Sequence, residues 1–160
     1  MDTGNKKFGT KAVHAGQQPD SATGAIMTPI YQTSTFIQDS PGHHRGYEYA
    51  RSGNPTRSAL EACIAGVENA RYGICFSSGM GAVDAVMKLL KPGDEVISTN
   101  DLYGGSYRSF TRIFEPLGVK FHFTSMANPS DFERKLSKRT KLVWVETPTN
   151  PMMNIIDIQA

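Results

Sequence analysis

From Tyr72 onward the chain alternates short β-prone runs with helix-length segments, and this alternation limits its possible folds more than any other feature. A strand is expected over Tyr72–Phe76, then a helix over Gly79–Leu90 that the Lys91-Pro92-Gly93-Asp94 turn ends. A strand over Glu95–Ser98, a helix near Gly105–Leu117, a strand over Lys120–Thr124, a helix over Ser130–Leu136 and a strand over Lys141–Glu146 follow. Ser130 and Glu133 have capping-box spacing, which places a helix start at Ser130. Such alternation builds a parallel sheet with helices on both faces, so the fold class is α/β. In these sheets ligands bind beyond the carboxyl ends of the strands. Three segments fall there: Ser77–Gly81, Asn100–Gly105 and Glu146–Asn150.

The first 53 residues differ in character, being rich in Gly, Pro, Thr, Ser and Gln with little helical periodicity. Met27–Phe36 could run extended, but Pro29 and the lack of turn signals argue against an isolated hairpin. A stretch this long without regular elements is uncommon inside a compact domain. Residues 1–53 are therefore expected to form an arm lying on a neighbouring subunit, with the α/β part occupying 54–160. Order is expected to begin at Asn54-Pro55, an N-cap followed by proline in the first helical position, with Leu60, Ile64 and Val67 forming the apolar stripe. A formal net charge of +2 gives no reason to expect nucleic acid, and no apolar run approaches membrane-spanning length. The first seven residues lack the apolar core of a secretory signal. Cys63 and Cys75 are no disulfide framework and read as reduced, packed and cytoplasmic, while His14, His43, His44 and His122 lack metal-ligand spacing.

Ser77–Gly81 runs into a helix start, where unpaired N–H groups and the helix dipole suit an anion, most often a phosphate. Gly79-Met80-Gly81 could open a dinucleotide fingerprint with Asp101 downstream, but Asp84 stands where its third glycine belongs. A P-loop is ruled out because no Gly-Lys-Ser/Thr closes the turn. Tyr49 and Arg51, two apart, would share one face of an extended chain and could grip a phosphate together. Tyr103, beside Gly104 and Gly105, could stack on a planar ligand, and Arg108 could reach a substrate carboxylate. Pro148 and Pro151 stiffen the turn that aims Asn150, whose amide offers donor and acceptor. This inventory suits a planar, phosphorylated, aromatic cofactor better than a dinucleotide.

In the same order along nearly the whole chain, Tyr49–Arg57, Ser77–Met80, Asp101–Gly105 and Glu146–Pro151 resemble motifs of the pyridoxal-phosphate enzymes of cysteine and methionine metabolism, in the branch holding the cystathionine γ-lyases and γ-synthases. The resemblance implies the large domain of an aspartate-aminotransferase-like (type I) fold, with pyridoxal 5'-phosphate as cofactor and an amino acid as substrate. It implies that Tyr49 and Arg51 reach the cofactor phosphate of a neighbouring subunit in a homo-oligomer, a dimer of dimers. Gly79 and Met80 amides would bind the subunit's own phosphate, with Ser78 shaping the turn. Tyr103 would stack on the pyridine ring and move protons as the catalytic residue. Asn150 would hydrogen-bond the cofactor's phenolic oxygen; Arg108, with Arg51 and Tyr103, would contact substrate, and Glu48 would help select a γ-substituted amino acid. Gly105 stands where methionine γ-lyases carry a cysteine, which argues against that member. The implied reaction is γ-elimination or γ-replacement on cystathionine or an O-acylated homoserine. The family's Schiff-base lysine, its pyridine-facing aspartate and its later substrate arginine have no counterpart here. The chain is accordingly expected to be an N-terminal portion of such an enzyme, through truncation, proteolysis or a split gene, and inactive alone. The alternatives are a non-catalytic partner of a complete subunit and a nicotinamide-binding domain.

Overall fold

A computed structural model describes residues 6–159; the first five residues of the expected arm, within the stretch read for a signal, lie outside it, as does Ala160. The chain forms two compact units, the first ending at Cys75 and the second starting at Phe76. Helix α2 (Pro55–Val67) falls in the first of these units, whereas the sequence places it at the start of the α/β part expected over 54–160.

In the first unit, α1 (Phe8–His14) precedes a two-stranded antiparallel ladder of β1 (Gln38–Ser40) and β2 (His43–His44), and then α2. The expected arm therefore does contain regular elements. Helix α1 has too few residues to announce itself by periodicity and depends on docking for its stability. Gly16, at φ +70°, makes that docking possible: a Cβ there would lie 2.5 Å from the Ala59 carbonyl oxygen and 2.6 Å from the Cys63 nitrogen. The buried Lys11 donates to the Asn69 side-chain oxygen. Met27–Phe36 carries no strand, only a bridge from Thr35 to Tyr49. As the sequence predicts, the Asn54 side chain caps α2 by accepting from the Thr56 amide at 2.9 Å, with Pro55 next. The expected apolar stripe is not buried within this unit: Leu60 and Ile64 are half exposed, and Ala65 is the buried residue of α2.

The strand expected over Tyr72–Phe76 does not form. A strand exists only by pairing, and no described strand pairs with this segment; Tyr72, Ile74 and Phe76 are exposed. Its backbone is held from α2, where Glu61 Oε1 accepts from the Cys75 amide at 3.0 Å.

The second unit is the expected α/β layer. Helix α3 (Gly79–Met87) leads to β3 (Glu95–Thr99), and α4 (Gly104–Ser109) continues into a π-helical turn, Phe110–Phe114. After β4 (Lys120–Thr124) come α5 (Pro129–Glu133) and β5 (Thr140–Trp144). The order is β4-β3-β5 with both pairings parallel, and every residue of β3 is buried. Helix α5 starts earlier than expected. Asn128, not Ser130, is its N-cap and accepts from the Ser130 amide at 3.1 Å, because Pro129 supplies the first helical residue without needing a donor. Alternation along β3 divides two apolar layers. Val96 packs with Val83, Met87, Leu102, Phe110 and Phe114, whereas Ile97 packs with Met126 and Ile156. Phe110 is fully buried, stacked on Phe121 at 4.7 Å and edge-on to Trp144 at 5.6 Å.

At the amino end of β3, the buried Glu95 carboxylate accepts from Ser137 Oγ at 2.7 Å and Arg139 Nε at 2.8 Å, with His122 Nε2 at 3.3 Å. The Ser137 hydrogen bond, then the Arg139 charge, hold its pKa below the ordinary glutamate range despite the opposing effect of burial. A carboxyl depressed on folding stabilises above its unfolded pKa of about 4.3 and loses that contribution as pH falls through the lower folded value. Glu95→Gln should therefore lower the melting temperature at neutral pH and flatten its fall in acid, as read by circular dichroism melts. Phe110→Ala should cost about 3–5 kcal/mol in denaturant unfolding, since a large buried ring leaves a cavity.

Candidate functional site

The Ser77–Gly81 turn opens α3 with a local division of labour. Ser78 Oγ accepts from the Gly81 amide at 3.1 Å, and the Ser78 carbonyl accepts from the Ala82 amide at 3.2 Å. The amides of Gly79 and Met80 are left without an acceptor among the described residues, at the positive end of the helix. The space a Cβ of Gly79 would enter is open within 4 Å. Two free amides and an open approach suit a phosphate. Asp84 is an outward i,i+4 partner of Lys88 at 2.5 Å, so the missing third glycine is a solvated helix face rather than a dinucleotide contact.

Beyond the carboxyl ends of β3 and β5, the two remaining loops are tied together. Glu146 Oε2 accepts from the Tyr103 amide at 2.9 Å. In return, Asp101 Oδ2 accepts from Thr149 Oγ1 and, at 3.0 Å, from the Met152 amide. Each loop thus supplies a carboxylate to the other's donors, and charge-assisted bonds of this kind are the stronger class. Asp101 is thereby committed to the protein, not to a ribose. The exchange sets Tyr103 and Asn150 on neighbouring strand ends. The sequence marks Tyr103 and Asn150 as candidate site residues and Asp101 only as a possible dinucleotide acid; that Asp101 and Glu146 tie the two loops is not legible there. Their signal, an acid just past each strand, becomes readable only once β5 is known to lie beside β3.

Tyr103 is half exposed and immediately precedes α4. Its ring lies along Gly105: a Cβ there would fall 3.0 Å from Cδ1 and Cζ and closer still to Cε1. A glycine is what lets this ring lie against the first turn. Arg108 is exposed and has no ion-pair partner among the described residues, and its guanidinium folds back toward Gly104. The Asn150 side chain is exposed and likewise uncommitted among the described residues, in a turn where both the Thr147–Pro148 and Asn150–Pro151 peptides are cis.

In the first unit, Tyr49 and Arg51 are brought together, though not by an extended chain as expected. Residues 49–53 turn, with the Ser52 and Gly53 amides donating to the Tyr49 carbonyl at 3.1 and 2.9 Å. The turn folds Arg51 over the Tyr49 ring, its Cζ 5.0 Å from the centroid. The exposed Glu48 accepts from Ser52 Oγ at 3.3 Å.

The fold and the second unit's loops define an α/β protein with an open helix start, two uncommitted amides there, and an exposed ring and amide at the carboxyl edge of its sheet. Residues 9–160 match the family described as Cys/Met metabolism PLP-dependent enzyme, and the chain belongs to that family. It is 48% identical over 160 residues to a probable cystathionine gamma-synthase of Herpetosiphon aurantiacus, covering 100% of this chain and 49% of that one. It is also 48% identical to a cystathionine gamma-lyase of Dictyostelium discoideum, covering 98% of this chain and 41% of the relative. Among solved structures, metB from Corynebacterium glutamicum superposes with a TM-score of 0.92 at 44% identity, over 99% of this chain and 42% of that one. The chain therefore spans half or less of the length of these relatives. The match makes pyridoxal phosphate the family cofactor and overturns the nicotinamide alternative. The open amide pair at Gly79 and Met80, the exposed Tyr103 ring and the free Asn150 amide fit that group.

Asp101→Ala should loosen the 147–153 loop. Loss of a hydrogen bond to a charged acceptor removes about 1.5–3 kcal/mol, so the Met152 amide should exchange with deuterium at least about tenfold faster.

Proposed function

We propose that the protein bearing this chain catalyses γ-elimination or γ-replacement on cystathionine or an O-acylated homoserine, using pyridoxal phosphate. The observation that carries this reading is the reciprocal tie of Glu146 to the Tyr103 amide and of Asp101 to the Thr149 hydroxyl and Met152 amide. It orients a ring and an amide in the same unit as the open amide pair of α3. Relatives named γ-synthase and γ-lyase stand at equal identity, which supports the chemistry common to both.

When bound, the cofactor supplies an electron sink for bond breaking in the substrate. In this reading the Gly79 and Met80 amides hold its phosphate and Ser78 keeps the turn in shape. Tyr103 stacks on the ring and moves a proton at its phenolic oxygen. Asn150 donates its amide N–H to the cofactor's phenolic oxygen. Arg108 and Arg51 hold the substrate carboxylate, and Glu48 favours a γ-substituted amino acid. Tyr49 and Arg51 act on the phosphate of a neighbouring subunit in a homo-oligomer, a dimer of dimers. The free Cys63 and Cys75 support a reducing, cytoplasmic setting. No lysine here has the Ser-x-Thr-Lys context of a cofactor-bearing lysine, so residues 1–160 by themselves are assigned no turnover.

The complete protein bearing this chain, purified with pyridoxal phosphate, should convert cystathionine and water to cysteine, 2-oxobutyrate and ammonia, or join cysteine to an O-acylated homoserine with release of the carboxylate. Formation of neither product, or equal formation without cofactor, would overturn the reading. Tyr103→Phe should lower kcat by about 10²–10⁴-fold while the cofactor is retained, because the ring stays and the proton-transfer group goes.

A further inference from the structure

Arg57 lies in the first turn of α2, where the helix dipole disfavours a cation. The helix dipole therefore gives no reason for an arginine at this position. Its guanidinium instead gathers the carbonyls of the turn that carries Arg51. Nη1 donates to Ala50 O at 3.1 Å, and Nη2 donates to Ser52 O at 3.1 Å and Arg51 O at 3.4 Å. Glu61, one helical turn on, places Oε1 3.7 Å from Arg57 Nε. The same oxygen accepts from the Cys75 amide, just ahead of Ser77 and Ser78 in the chain. A planar fork can span three carbonyls at once, whereas a lysine ammonium acts as a compact point donor.

We propose that Arg57, steadied by Glu61, is the positioning residue of the phosphate clamp: it shapes the 50–52 turn so that Arg51 is presented over Tyr49. The proposal rests on the phosphate role assigned to Arg51 above. Arg57 touches neither cofactor nor substrate; it acts through the backbone of Arg51.

The test compares binding of pyridoxal phosphate with that of pyridoxal, which lacks the phosphate, by absorbance titration of the complete apo-protein bearing this chain. Arg57→Lys should weaken pyridoxal phosphate by about tenfold and pyridoxal by less than about twofold. In an Arg51→Ala background the same change should add less than about twofold, because the two residues act as one unit. Equal weakening of both ligands, or independent effects in the double variant, would overturn the proposal. Should Arg51→Ala alone fail to discriminate the ligands, the phosphate role of Arg51 falls and takes this proposal with it. If instead Arg51→Ala discriminates and Arg57→Lys does not, only the positioning role fails. Glu61→Gln provides a second measure if Arg57→Lys does not fold: about threefold weaker pyridoxal phosphate binding with pyridoxal unchanged supports the role, and any other pattern counts against it.

Discussion

Parallel pairing of β5 beside β3 is the interaction on which the second unit depends. With β4 on its other edge, β3 is buried along its whole length, and its alternating side chains separate the two apolar layers. The same pairing brings the ends of β3 and β5 side by side. Only then can Glu146 reach the Tyr103 amide and Asp101 reach Thr149 and Met152. Positioning of the ring and the amide is thus a consequence of strand order. Two carboxylates convert that order into a fixed loop geometry, using donors that the loops would otherwise leave to water.

The α3 start and the Tyr49–Arg51 turn are built differently. At α3 the arrangement is local: one serine caps, one glycine leaves room, and helix geometry leaves the Gly79 and Met80 amides free. At Tyr49–Arg51 it is assembled from three places in the chain. A tight turn sets the spacing, the Ser34 carbonyl accepts from the Ala50 amide at 2.8 Å, and Arg57 binds the outward carbonyls from α2. The first needs little beyond its own helix, whereas the second depends on packing around it.

Elements whose cause is local were legible in the sequence. The Asn54 cap, the Ser78 turn and the strands β3 and β4 all occur where their residues suggest. Departures arise where a longer-range partner decides. Tyr72–Phe76 has strand composition but no ladder among the described residues. Helix α1 lacks a readable stripe yet forms against α2 through Gly16. Asn128 displaces Ser130 as a cap because Pro129 pre-sets the first helical dihedral. Tyr49 and Arg51 meet, but through a turn rather than through the two-residue repeat of an extended chain.

By itself, the sequence determined the α/β class, the Ser78-capped helix start and the residue types that mark the family, because capping, dipole and periodicity act over a few neighbours. Tertiary structure decided that β5 flanks β3, that Asp101 and Glu146 exchange hydrogen bonds between loops, and that Arg57 donates to the carbonyls of the 50–52 turn. Those contacts join residues far apart in the chain, and their partners are chosen by which apolar faces can be buried together. No local pattern encodes that choice.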